Sequence, residues 1–133
     1  MLRNLMDKLY KALLLIPSTV TATGNSASQD VKDLLSLTFL LSVGTMAFDG
    51  SNLLTFKVEE SDDNSSWSEA TVANGGLYEA APVLDSGTED DSIYAIEYRG
   101  TKRYARLAWT ETGTVSVAMS VAAIGISKNQ PPA

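Results

Sequence analysis

The 133-residue chain has no cysteine and no histidine. Without cysteine there is no disulfide framework and no thiolate nucleophile. Without histidine the commonest general base is missing, and with both absent so are the commonest transition-metal ligands. Basic residues are scarce: 10 Lys and Arg face 16 Asp and Glu, for a net charge of −6. That balance argues against a generic nucleic-acid partner, because neutralising phosphate needs surplus cations. Long apolar runs are lacking too, and nothing approaches the ~20 residues of a membrane-spanning helix. A signal peptide is the competing reading of the N-terminus, with Thr21-Ala-Thr-Gly24 offering small residues for cleavage. Against it, Asp7 falls in the supposed positive region, and the apolar run Ala12–Ile16 is cut at Pro17, short of the ~7–15 residues such a segment needs.

What is present is β-forming sequence. Apolar residues make up 44% and charged residues 20%, which fits a globular chain rather than a disordered one. A length of 133 residues predicts one domain. Ile16–Thr23 is rich in β-branched residues, and Leu34–Val43 reads as a buried-type strand apolar on both sides, although periodicity alone does not separate it from a helix. Leu53–Glu60 alternates, with Leu54, Phe56 and Val58 inward and Thr55, Lys57 and Glu59 outward. The polar turn Ser61–Ser66 returns it to a partner strand at Trp67–Val72, and Leu77–Leu84 is a weaker strand. Ile93–Gly100, Tyr104–Thr110 and Val115–Ile124 are separated by short turn-like stretches, which predicts a three-stranded meander. Roughly seven or eight strands at this spacing indicate an all-β, antiparallel β-sandwich of jelly-roll type over residues 16–127. Residues 128–133 form a tail.

The N-terminal residues 1–15 carry the one helical pattern. Leu2, Leu5, Met6, Leu9 and Leu13 fall at helical spacing, which predicts a short amphipathic helix or arm. A helix this short is marginal alone, so its apolar face must dock, either on its own domain or on a neighbouring chain.

Chemistry has few carriers. Carboxylates cluster at Glu59, Glu60, Asp62 and Asp63 and again at Asp85, Glu89, Asp90 and Asp91. A glycosidase needs two carboxyls facing each other across a cleft, one of them with a pKa raised by burial. Carboxylates set among Ser, Thr, Asn and Gly are in the wrong surroundings for that, so no enzyme is expected and no catalytic residue is assigned. Ser61–Ser65 and Thr88–Ser92 could offer oxygens to calcium, but neither has the spacing of an EF-hand loop, and both read as turns; no metal or cofactor is expected. Trp67 and Trp109 with Tyr94, Tyr98 and Tyr104 could form a sugar-stacking platform, although Trp109 is in phase with Ala105 and Leu107 and reads as inward.

Charge is unevenly spread. Residues 49–92 carry eleven acidic groups against Lys57 alone, whereas residues 93–133 carry Arg99, Lys102, Arg103, Arg106 and Lys128 against Glu97 and Glu111. An acidic middle and a basic end can meet across a subunit contact. The last strand raises a related question. Val115, Val117, Met119 and Val121 alternate with Ser116, Ala118, Ser120 and Ala122, and this second face is too small and too weakly polar for an ordinary solvent face. Another sheet or another subunit must cover it.

Phe56-Lys-Val-Glu-Glu-Ser-Asp-Asp-Asn-Ser-Ser-Trp67, with Tyr98-Arg-Gly-Thr-Lys-Arg-Tyr-Ala-Arg-Leu107 and Thr112-Gly-Thr114, resembles small virion proteins of tailed bacteriophages. The resemblance covers residues 50–126; Asn64 stands where glycine is common in that family, and the N-terminal segment falls outside the pattern. It implies a non-enzymatic capsid cement or decoration protein in the phage head, bridging subunits of the major capsid protein. It also implies a homo-oligomer, with a trimer as the first candidate; no nucleic-acid or membrane partner is expected, from the net charge and the lack of a membrane-length apolar run. The expected interface residues are Leu2, Leu5, Met6 and Leu9 in the arm, and Arg99, Lys102, Arg103 and Arg106 in the basic end. The alternatives are a carbohydrate- or host-surface-binding module and a tail or head-to-tail component.

Overall fold

The computed structural model describes residues 9–48, 52–85 and 91–128. They form an all-β antiparallel sandwich of ten strands: β1 (Leu9–Val20), β2 (Gly24–Asn25), β3 (Gln29–Asp30), β4 (Leu34–Phe48), β5 (Leu53–Ser61), β6 (Ser68–Ala70), β7 (Val83–Leu84), β8 (Ser92–Tyr98), β9 (Tyr104–Thr112) and β10 (Val115–Ser127). One sheet has the order β1-β10-β4-β8. The other is built on the central pair β9-β5, with β2 and β3 along the free side of β9 and β6 and β7 along the free side of β5. Its edges are thus two short pieces each, which leaves little continuous unpaired backbone for another chain to extend.

Alternation in the sequence sets which side of each strand is buried. Leu37, Phe39, Leu41 and Val43 of β4 and Val115, Val117, Met119, Val121 and Ala123 of β10 point inward from the first sheet. Leu54, Phe56 and Val58 of β5 and Ala105, Leu107 and Trp109 of β9 meet them from the second. Phe56 and Trp109 are cross-strand partners with ring centroids 6.2 Å apart. The indole Nε1 donates to the Ala22 carbonyl at 3.0 Å, so the one polar atom of this large buried ring is satisfied. The hairpin expected from Leu53–Glu60 and its partner is present, pairing Val58 with Ala70 and Glu60 with Ser68.

Two expectations are corrected. The last three strands do not form a meander: β8 pairs with β4, β9 with β5, and β10 lies between β1 and β4. A short gap requires only that consecutive strands be neighbours, and at a sandwich corner it can step from one layer to the other. Gly113, at φ +76°, makes that step between β9 and β10, and the Asn52 side-chain amide donates to the Thr114 carbonyl at 2.9 Å beside it.

The second correction concerns the N-terminal helix. Leu9 to Leu15 are extended, and β1 pairs with β10 from Leu9↔Ile126 to Val20↔Val117, so the sandwich begins inside the segment assigned to the arm. Leu2, Leu5 and Met6 lie outside the described residues. From Leu9 onward, an edge of long-range backbone bonds and a buried Leu14 outweigh the marginal stability of a short helix.

Candidate interaction surfaces

The four basic residues expected at an interface are each already engaged within the chain. Arg106, on β9, sits opposite Glu59 of β5; its guanidinium donates to the Glu59 carboxylate at 2.9 Å and lies 4.1 Å over the Trp67 ring. Lys57 reaches the same Glu59 carboxylate at 3.6 Å. Lys102 Nζ donates to Asp62 at 2.8 Å, which holds the ammonium pKa above its ordinary value. Arg103 donates to Asp30 at 3.0 Å, holding that carboxyl below the ordinary carboxylate value, and also lies 5.1 Å over the Tyr104 ring. Arg99 pairs with Glu97 and covers Tyr78 at 4.3 Å. The basic end and the acidic middle meet within one chain at Arg106–Glu59 and Lys102–Asp62, whereas Arg103 and Arg99 pair with Asp30 and Glu97 outside the acidic middle.

The turn after β5 is closed by its own side chains. The Asp63 carboxylate accepts from the Ser65 and Ser66 backbone N–H groups at 3.0 and 2.9 Å and from the Ser61 hydroxyl at 2.9 Å. These donors hold the Asp63 pKa far below the usual carboxylate range, with the backbone bond from Ser66 the largest cause. Asn64 has φ +62°, in the left-handed region that asparagine adopts more readily than most side chains. Asp62 is held by Lys102 and Asp63 by its own turn, so their oxygens are committed. No group of three metal-ligating side chains occurs among the described residues. Residues 86–90, part of the second acidic stretch, lie outside them.

Behind this turn, the Tyr98 hydroxyl donates to Glu60 at 2.7 Å and accepts from the Lys102 backbone N–H at 3.1 Å. Burial, and then the bond to Glu60, push its phenol well above the ordinary tyrosine value.

The aromatic platform is not assembled. Trp109 and Tyr98 are buried, and one face of Trp67 is taken by Arg106. A shallow groove of about 350 Å³, where β6 and β7 part along β5, is walled mainly by Phe56, Ala70, Val72, Leu77 and Ala81, with Lys57 and Glu69 as its ionisable groups.

The larger surface is one that side-chain chemistry does not announce: the outer face of the β1-β10-β4-β8 sheet. Register places Leu13, Ala122, Leu40 and Ala95 side by side in one row across all four strands. The next row is Lys11, Ile124, Thr38 and Glu97, and Leu9, Ile126 and Ser36 follow. On the other side come Ser120, Ser42 and Ile93. Charge is confined to the two edge strands. Leu13 is 57% exposed, Ile16 68%, Ile93 65% and Ile126 44%, so among the described residues no second layer covers this face. Leu9, expected in a docking arm, lies on its margin. The sequence signal for this surface was the small second face of β10; its extension across β1, β4 and β8 needed the register.

The described residues form an all-β antiparallel sandwich that presents one apolar sheet face outward. No family model and no curated protein matches the chain. Among solved structures, a crystal structure of PirA is similar over 95% of this chain and 99% of that one, at 9% identity and a TM-score of 0.36, which carries no argument about function.

Proposed function

We propose that this chain is a structural virion protein of a tailed phage, a cement or decoration protein that stabilises the head by bridging subunits. The observation that carries this reading is the uncharged centre of the β1-β10-β4-β8 outer face, where Leu13, Ala122, Leu40 and Ala95 form an unbroken apolar row. A solvated antiparallel sheet alternates apolar with polar residues, and contiguous exposed apolar surface marks an interaction site. The resemblance of residues 50–126 to small virion proteins points the same way. The partners under this reading are the major capsid protein and further copies of the chain. Symmetry multiplies weak contacts in such shells, so no single contact has to be strong.

The sugar-binding alternative has less to stand on, because Trp109 and Tyr98 are buried and Arg106 lies over one face of Trp67. Mass spectrometry of gradient-purified particles from cells making this protein tests the proposal. Copies in fixed proportion to the capsid protein support it. A copy number of a single ring would move the chain to the tail or the head-to-tail joint, and absence from particles would end the virion reading.

A further inference from the structure

We infer that the outer face of the β1-β10-β4-β8 sheet binds a second copy of this chain, face to face about a twofold axis parallel to the strands. The inference rests on the reading of this face as an interface and adds its occupant. Such an axis, placed between β10 and β4, exchanges β1 with β8 and β10 with β4 while keeping each residue at its own level along the strands.

The row Leu13–Ala122–Leu40–Ala95 then lies against its own reverse, Ala95–Leu40–Ala122–Leu13. Every leucine of one copy meets an alanine of the other. Large against small at each position is what lets two sheet faces interdigitate at the usual ~10 Å separation. In the next row, Lys11 of each copy comes opposite Glu97 of the other, at both margins, and Ile124 lies against Thr38. An in-plane axis perpendicular to the strands, passed through this row, would instead set Lys11 against Lys11 and Glu97 against Glu97. Lys11 forms no ion pair among the described residues, and Glu97 keeps one carboxylate oxygen beyond that bonded to Arg99. Charge pattern and side-chain volume are thus both satisfied by the axis parallel to the strands. Opposite charges at the rim also fix register.

The size is close to what a stable interface needs. Strands of 12, 13, 15 and 7 residues, at ~3.3 Å per residue and ~4.8 Å between strands, give a face of about 700 Å². Stable interfaces bury about 800 Å² per partner, so this face nearly supplies one. Sheet twist splays the outer strands of the two copies apart, so contact is closest along β10 and β4, the strands beside the axis.

Sedimentation equilibrium on the full chain at tens of micromolar tests this. The expected species has twice the 14.2 kDa chain mass. Leu40→Glu, or Leu13→Glu on the edge strand should the first fail to fold, is expected to give a monomer with little change in thermal midpoint. Lys11→Glu and Glu97→Lys, made singly, are each expected to weaken association about tenfold, and the double variant to restore it. A wild-type monomer at hundreds of micromolar, association indifferent to both leucine substitutions, or a double variant no tighter than the singles would overturn the inference. A monomer that still loads onto particles would overturn the pairing and leave the virion reading standing. A dimer absent from particles would uphold the pairing and remove that reading.

Discussion

The Arg106 guanidinium lies 4.1 Å over the Trp67 ring while its N–H groups bond Glu59 at 2.9 Å, so one cation ties the β5–β6 hairpin to β9. An aromatic face occupied in this way is not free to stack on a sugar. Trp67→Ala is expected to lower stability by about 0.5–1 kcal/mol, the range of a partly exposed cation–π contact, in urea denaturation. Arg106→Ala should cost more, because it also leaves Glu59 and Lys57 to rearrange. Saturable glycan binding lost in Trp67→Ala would contradict this account of the ring.

The Asp63 turn predicts an acid-dependent loss of stability. Its carboxyl is depressed in the folded state, so its contribution is fully present above the unfolded carboxyl pKa and is lost as pH falls through the folded value. Asp30, depressed by Arg103, acts in the same direction. Asp63→Asn should therefore melt below wild type at pH 7, with the gap narrowing toward strongly acid pH. Calorimetry across that range checks it, and a gap that widens on acidification would be the wrong sign.

Gly100 is confined by the Tyr98–Glu60 pair: a Cβ there would collide with the Tyr98 hydroxyl and the Glu60 carboxylate. Gly100→Ala is expected to destabilise by about 1–3 kcal/mol, as overpacking commonly does. Tyr98→Phe removes the donor to Glu60 and the acceptor for Lys102 N–H, at a cost of about 1–2 kcal/mol. In Gly100→Ala combined with Tyr98→Phe, the alanine penalty should shrink, because one colliding group is gone. Chemical denaturation of all three variants reads this coupling directly.

Phe39 is fully buried in β4 at the centre of the sandwich. Phe39→Ala should cost about 3–5 kcal/mol, the usual range for emptying such a site. Leu40→Glu, one residue along on the outer face, should cost far less. That contrast between neighbours is a direct check on which face is core: equal losses would mean that both faces are buried, and a larger loss at Leu40 would place the sheet the other way round.

The strands were legible where alternation was clean. Leu54, Phe56 and Val58 are inward as their spacing requires, and so is Trp109. The pairing of the last three strands was not legible, because short Gly-bearing gaps fit a hairpin and a corner between layers equally well. Leu9 to Leu15 misled for a related reason: a leucine-rich run satisfies helical spacing by density alone, and only β10 decides its state. The four basic residues were identifiable as an electrostatic group, but their partners, Asp30, Glu59, Asp62 and Glu97, came from distant strands and turns as well as from next-door positions. The open sheet face left one trace in sequence, the small outer side of β10. Its partners in the row, Leu13, Leu40 and Ala95, lie far apart in the chain and are joined only by register.

The most direct measurement for the central claim is the number of copies per particle in heads assembled with wild-type protein and with Leu40→Glu. If the outer sheet face is the working surface of a bridging protein, wild type is present in proportion to the capsid protein. Leu40→Glu then falls by at least about tenfold, since losing one of several linked contacts removes avidity, while its thermal midpoint holds. Equal occupancy by the two proteins would contradict the account.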